Sequence, residues 1–165
     1  WIGYTLSKTT RYFDEVNNGE PFPAKYDRRH DLSITATHKL SDAWNLSSVF
    51  IYSTGNAITL PSERYIIDGY TYTEYTSRNG FRMKPYHRLD IGATYTPRKK
   101  KKFTSSWNFS IYNVYNRKNP YFIYLALEDT QEDQNGTIQD GNLEPKAYQV
   151  SIFPILPSIT WNFNF

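Results

Sequence analysis

The sequence predicts an all-β chain, about six strands of a transmembrane antiparallel up-and-down β-barrel too large for this chain to close alone. Three observations predict it. Apolar and polar residues alternate with period two in six separate segments. The connections between those segments are alternately long and short. Aromatic residues make up 18% of a chain whose mean hydropathy is only −0.67. A soluble domain this rich in rings would normally be rich in Leu, Val and Ala as well. Here 15 Tyr and 10 Phe dominate, and Tyr suits a half-wet interface because its ring is apolar and its hydroxyl is not.

The segments run in order along the chain. The first sets Ile2, Tyr4 and Leu6 against Gly3, Thr5 and Ser7. The second sets Leu32, Ile34 and Ala36 against Ser33, Thr35 and Thr37. In the third, Trp44, Leu46, Phe50 and Tyr52 oppose Asn45 and Ser47, while Val49 and Ile51 break the pattern. The fourth sets Leu89, Ile91, Ala93 and Tyr95 against Arg88, Asp90, Gly92 and Thr94. The fifth sets Trp107, Phe109 and Ile111 against Ser106, Asn108 and Ser110, and the sixth Ile159, Trp161, Phe163 and Phe165 against Thr160, Asn162 and Asn164.

A tight turn, Lys39-Leu40-Ser41-Asp42-Ala43, joins the second segment to the third, and Thr96-Pro97 with a basic run joins the fourth to the fifth. The other three connections are several times longer. Outer-membrane barrels alternate periplasmic turns with extracellular loops in this way. Trp44-Asn45-Leu46-Ser47, Trp107-Asn108-Phe109-Ser110 and Trp161-Asn162-Phe163-Asn164 repeat one pattern. In the first two an indole opens a strand just after a short turn, at the expected periplasmic interface. With the long loops outside, the last strand descends and the C-terminus is periplasmic.

No apolar run approaches the ~20 residues of a membrane helix. Cysteine is absent and the net charge is +3, which excludes disulfides and thiolate chemistry and offers no case for a nucleic-acid partner. Trp1 opens directly into Ile-Gly-Tyr-Thr-Leu without a basic start or cleavage site, as expected of a mature chain or a fragment. Closed barrels need at least about eight strands. Six would leave two edges with unpaired backbone groups, at several kcal/mol each in hydrocarbon. Residues 1–165 are therefore expected to be the C-terminal part of one barrel domain, completed by further sequence or by another chain. Ile159, Trp161, Phe163 and Phe165 are expected to form the terminal strand read by the barrel-assembly machinery.

Four stretches, with that terminus, carry a family resemblance. They are Tyr26-Asp27-Arg28-Arg29-His30-Asp31-Leu32, Ser53-Thr54-Gly55-Asn56, Tyr86-His87-Arg88-Leu89-Asp90 and Asn113-Val114-Tyr115-Asn116-Arg117-Lys118-Asn119-Pro120-Tyr121. In this order they resemble the C-terminal barrel of TonB-dependent receptors, especially Bacteroidetes-type ones. The resemblance implies a 22-stranded barrel with a plug and a TonB box, both lying outside this sequence. It also implies energy-coupled nutrient uptake across the outer membrane. The implied partners are outer-membrane lipid, the remaining strands and plug, TonB and a surface lipoprotein lid. The alternatives are a passive porin or multi-chain barrel, and a soluble carbohydrate-binding β-sandwich.

Arg29 with Asp31, and Arg88 with Asp90, stand two apart and are expected to face the lumen, as an ion-pair ladder or as substrate or plug contacts. Tyr65, Tyr70, Tyr72 and Tyr75 in the second long connection could stack on a ring-bearing ligand, or Tyr70 and Tyr72 could belong to a strand rising above the membrane. Arg98 and Lys99 to Lys102 read as a solvated turn, with an acidic or phosphate partner as the alternative. Asp129 to Asn142 faintly resembles a calcium loop, but Gln131 and Asn142 occupy its first and twelfth positions, which is wrong for that site. Asn135-Gly136-Thr137 reads as a turn. His30, His38 and His87 share no metal-ligand spacing, and no catalytic constellation appears. Neither an enzyme nor a cofactor is expected.

Overall fold

The computed structural model describes residues 1–67, 70–75, 77–98, 103–129 and 143–164. Six strands form one antiparallel sheet in chain order. They are β1 (Ile2–Leu6), β2 (His30–Lys39), β3 (Trp44–Ser53), β4 (Tyr86–Tyr95), β5 (Thr104–Tyr112) and β6 (Leu156–Asn164). Each holds one of the six alternating segments, save Ser7, which follows β1, and Phe165, which lies outside the described residues. β2 extends beyond its segment at both ends to include His30, His38 and Lys39. Among the described residues, β1 and β6 each keep one edge unpaired, so the sheet is open.

The register turns six separate alternations into two continuous faces, because residues directly opposite each other point to the same side. Ile2, Ile34, Phe50 and Leu89 form one cross-strand row. Ala36, Ser48, Ile91, Ile111 and Pro157 form the next, followed by His38, Leu46, Ala93, Phe109 and Ile159. The opposite face carries Thr37, Ser47, Gly92, Ser110 and Ser158 in one row and Lys39, Asn45, Thr94, Asn108 and Thr160 in another. Val49 and Ile51 do stand on this polar face, opposite Asp90 and Arg88.

The apolar face is uncovered. Ile2 is 70% exposed, Ile159 67% and Phe163 53%. The buried apolar residues among those described are Phe22, Ala24, Ala57 and Met83, all in the connections and none in the sheet. The chain exposes 12724 Å², whereas a compact soluble monomer of 19.4 kDa exposes about 8500 Å². Each large apolar side chain left in water forgoes roughly 1.5–3 kcal/mol, so a face of this size requires a cover other than water.

The short connections lie at one end of the sheet. In the first, Ser41 Oγ accepts from the backbone N–H of Ala43 and Trp44 at 3.3 and 3.1 Å, and Lys39 Nζ meets Asp42 at 2.7 Å. The long connections, 7–29, 54–85 and 113–155, all leave from the other end. They contain four two-stranded pairs: Thr10–Arg11 with Phe22–Pro23, Ala57–Ile58 with Phe81–Arg82, Pro61–Ile67 with Tyr70–Tyr75, and Phe122–Asp129 with Leu143–Val150. Most of these elude sequence reading for physical reasons. Two-residue strands are too short for a period, and Phe122-Ile123-Tyr124-Leu125-Ala126 is a continuous apolar run without alternation.

Two glycines separate backbone crowding from side-chain crowding. A Cβ on buried Gly55 would lie 1.9 Å from the Met83 carbonyl oxygen and 2.7 Å from that of Lys84. A Cβ on Gly92 would lie 2.7 Å from Ser47 Oγ, the end of a side chain that can rotate. Gly55→Ala is expected to destabilise the full-length protein by about 2–3 kcal/mol, and Gly92→Ala by less than about 1 kcal/mol. Urea-unfolding midpoints of the two variants check the order; equal shifts would contradict the backbone clash.

Candidate functional site

The long-connection end gathers most of the chain's specific side-chain chemistry. Its first knot is built on Asp27, whose carboxylate is buried. Thr9 N–H donates to Oδ1 at 2.6 Å, and Arg82 Nη2 donates to Oδ2 at 2.7 Å. The same guanidinium donates through Nη1 to the carbonyls of Asp27 and Gly55. One arginine thereby ties the second long connection to the first. The Thr9 N–H bond holds the Asp27 carboxyl below the ordinary carboxylate range; burial opposes it, and Arg82 and then Arg29 add to the lowering.

Asn113, fully buried, builds the second knot. Its Nδ2 donates to the carbonyls of Arg117 at 3.0 Å and Phe153 at 3.1 Å, and its Oδ1 accepts from Arg117 N–H at 3.0 Å. Its φ of 55° is left-handed, a conformation asparagine tolerates better than most residues with a Cβ. Asn119 forms a reciprocal pair with the His87 backbone, at 3.1 and 2.9 Å, and Arg117 Nη2 donates to the Pro85 carbonyl at 3.0 Å. The third long connection is thus fastened to the second and to the head of β4.

The polar face of β4 carries a half-buried cluster. Arg88 Nε lies 2.9 Å from Asp90 Oδ2, yet the alignment does not make a hydrogen bond and Nε has no other partner. This contact is an ion pair in geometry, while the hydrogen bonds of Arg88 run from Nη1 to the hydroxyls of Tyr86 and Tyr112. Its guanidinium also stacks 4.0 Å from the Tyr112 ring centroid. Asp90 Oδ1 accepts from Asn113 N–H at 2.9 Å, linking this cluster to the second knot.

The expected Arg29–Asp31 pair is corrected. Asp31 pairs with Arg28, at 3.7 Å and half-exposed, a contact worth about 0–1 kcal/mol. Arg29 precedes β2, is exposed, and its charge acts on Asp27. Nor is Asp31 level with Asp90: it stands opposite Ser53, which stands opposite Tyr86. The sequence echo of Arg and Asp two apart is therefore not a structural repeat.

Tyr70, Tyr72 and Tyr75 lie on one strand, all exposed. Alternation puts Tyr70 and Tyr72 on one side and Tyr75 on the other, so they do not converge on one platform. Tyr65 stands opposite Tyr72 in register, but its side chain is outside the described residues. Ile159, Trp161 and Phe163 lie on the apolar face of β6, opposite Phe109, Trp107 and Ser105. Phe165, Lys99 to Lys102 and most of the Asp129–Asn142 stretch, including its Asn-Gly-Thr, lie outside the described residues.

Two aromatic rows bound the apolar face. At the short-connection end, Trp44, Tyr95, Trp107 and Trp161 stand side by side across four strands. Trp44 and Tyr95 are 4.9 Å apart by ring centroids, and Trp107 and Trp161 5.6 Å. At the long-connection end the row is Tyr4, Leu32, Tyr52 and His87. There Tyr4 Oη bonds His30 Nδ1, and Tyr115 Oη bonds His87 Nδ1, each at 2.8 Å. Between the rows, small Ala36, Ser48 and Ala93 leave a shallow depression of about 650 Å³ among Leu46, Ile91, Phe109 and Ile159.

Sequence reasoning missed Arg82, Thr9 and Asn79 as partners of the connections. Their roles arise from contacts across tens of residues and have no local pattern. Asp27, Gly55, Asn113, Arg117 and Asn119 were visible only as members of ordered motifs. Comparison of the chain with protein-family models, with curated proteins and with solved structures finds no match to any of them.

Asp27 gives the first knot a sign with respect to pH. A carboxyl with a lowered folded-state pKa contributes stability above its unfolded value near 3.9, and that contribution is lost as pH falls through the lower folded value. Urea-unfolding midpoints of the full-length protein are expected to fall from about pH 5 to about pH 2. Asp27→Asn is expected to start lower at the upper end and to fall less over this window. For the second knot, Asn113→Ala is expected to cost about 2–3 kcal/mol, and Asn113→Gly about 1 kcal/mol less because glycine takes a left-handed φ without strain. Unfolding midpoints of the pair check the difference.

Proposed function

We propose that this chain forms part of the wall and extracellular loops of an outer-membrane TonB-dependent receptor for energy-coupled nutrient uptake. One observation carries the membrane part: an apolar sheet face without protein cover, bounded at both ends by amphipathic aromatic rows. Tyr52 stands eight residues after Trp44, and Tyr95 eight after His87. At about 3.3 Å per residue the rows are roughly 26 Å apart along the strands, or about 20 Å in height at a tilt near 40°. That approaches the ~25 Å apolar band of outer-membrane barrels, with girdles where the headgroups lie. A buried protein core has no such reason to place indoles and a phenol at one margin, phenols and an imidazole at the other, and wholly apolar side chains such as Ile91 and Phe109 between them.

In this reading the polar face lines the lumen, and Arg88, Asp90, Tyr86 and Tyr112 project into wet space where a paired charge is tolerable. The unpaired edges of β1 and β6 join the remaining strands, since open edges in hydrocarbon would leave backbone groups unsatisfied. The long connections form the extracellular surface. The receptor part rests on the ordered motifs, whose resemblance is to TonB-dependent receptors. A passive porin would share the wall, and its uptake or conductance would continue without energy coupling. Loss of receptor-dependent uptake when TonB is removed is the expected result that separates them.

The facing assignment is tested in the parent protein refolded into lipid vesicles. Phe109→Lys or Ile91→Lys, on the apolar face, is expected to destabilise by roughly 2–4 kcal/mol near the midplane. Ser110→Lys or Thr94→Lys, one residue away on the polar face, is expected to cost much less. Equal costs, or a parent protein that is folded and monomeric without detergent, would replace the barrel with a soluble sandwich.

A further inference from the structure

The first long connection, with Arg78 and Asn79 of the second, borders a half-open cavity of about 760 Å³, within the usual range of small-ligand sites. Its floor is Phe22, 3% exposed, and Ala24, 7% exposed. Phe13 and Tyr26 add aromatic surface, with Phe13 6.1 Å from Phe22 by ring centroids. Three cations line the same space: Arg11, Lys25 and Arg78. Among the described residues no carboxylate lines it with them, and none of these three cations forms an ion pair with a carboxylate. Lys25 Nζ has a tyrosine face, 5.6 Å from the Tyr26 centroid, which does not cancel its charge.

The cavity is also built rather than incidental. Asn17 clamps the Arg78 backbone from both sides, accepting from its N–H at 2.7 Å and donating to its carbonyl at 3.4 Å. Asn79 Nδ2 donates to the Pro23 carbonyl at 2.9 Å, and Asn79 N–H donates to Thr59 Oγ1 at 2.9 Å. The Asp27–Arg82 knot closes the base of the same connection. Arg11, Lys25 and Arg78 are exposed to solvent, and like charges bordering one part-apolar space favour an anion among them.

We propose that this cavity binds a small solute that combines a ring with an anionic group, the charge meeting Arg11, Lys25 and Arg78 and the ring lying against Phe13 and Phe22. Arginine supplies paired N–H donors to carboxylate or phosphate, and the aromatic walls offer stacking surface. The cavity's chemistry stands apart from the barrel reading; only the side of the membrane it faces rests on that reading.

The test is calorimetric titration of the full-length, detergent-extracted protein with D-glucuronate, benzoate, inorganic phosphate and D-glucose. Saturable binding of glucuronate or benzoate is expected, with no comparable binding of glucose. Arg11→Gln with Arg78→Gln is expected to weaken the ring anion about tenfold or more, while Arg11→Lys with Arg78→Lys retains most of the affinity. Phe13→Ala is expected to weaken the ring anion and to leave phosphate unaffected. The proposal is overturned if neither ring anion binds saturably up to about 10 mM, if the glutamine double variant binds as the parent does, or if glucose matches glucuronate. Labelling of Tyr26→Cys in intact cells by a membrane-impermeant maleimide tests the side independently. Labelling only after permeabilisation would remove the extracellular placement and leave the binding result intact.

Discussion

The constraint on which the rest depends is that, among the described residues, none covers the sheet's apolar face. Rows that are mostly apolar or aromatic, interrupted by Ser48 and His38, cross the strands, while the buried apolar residues sit elsewhere. Sheet stability here comes from ladder hydrogen bonds and cross-strand contacts, with the hydrophobic contribution left to whatever covers the face. The open edges of β1 and β6 add the same requirement in another form, since unpaired backbone needs either water or another strand. Both demands are met together by the proposed barrel in a bilayer.

Among the described residues the sheet buries no apolar side chain, and the long connections add polar ties to the few that they bury, Phe22, Ala24, Ala57 and Met83. Asp27 with Arg82, and Asn113 with Arg117 and Asn119, each join segments distant in sequence through several hydrogen bonds at buried or half-buried positions. Asparagine recurs at the tight places: Asn17, Asn18, Asn79, Asn113 and Asn116 all have positive φ. Its short amide tolerates the left-handed region and can bond nearby backbone, so one residue both turns the chain and ties it down. A surface that is exposed to solvent and still holds a fixed shape suits recognition, and the cationic cavity lies within it.

The alternation of apolar and polar residues predicted the sheet and its strand order well, because the period of two is set by backbone geometry and needs no partner to be seen. Even Val49 and Ile51 betrayed themselves as exceptions, and they do stand on the polar side. The site was less legible. Arg29 and Asp31 satisfy the same spacing rule as Arg88 and Asp90, but Arg29 lies just outside the strand, where alternation no longer dictates direction. Tyr70 and Tyr75 share a loop and a residue type, yet strand geometry sends them to opposite sides.

The sequence alone determined the all-β class, the number of strands in the main sheet, the division of their faces and which connections are long, since each is a local property of period and composition. Only the tertiary structure decided that Trp44, Tyr95, Trp107 and Trp161 form one row, that Arg82 seeks Asp27, and that Arg11, Lys25 and Arg78 share a cavity. Those facts depend on register and on contacts between segments far apart in the chain. A one-residue slip in register would move every ring to the other face, and nothing within a single segment records which neighbour it will meet.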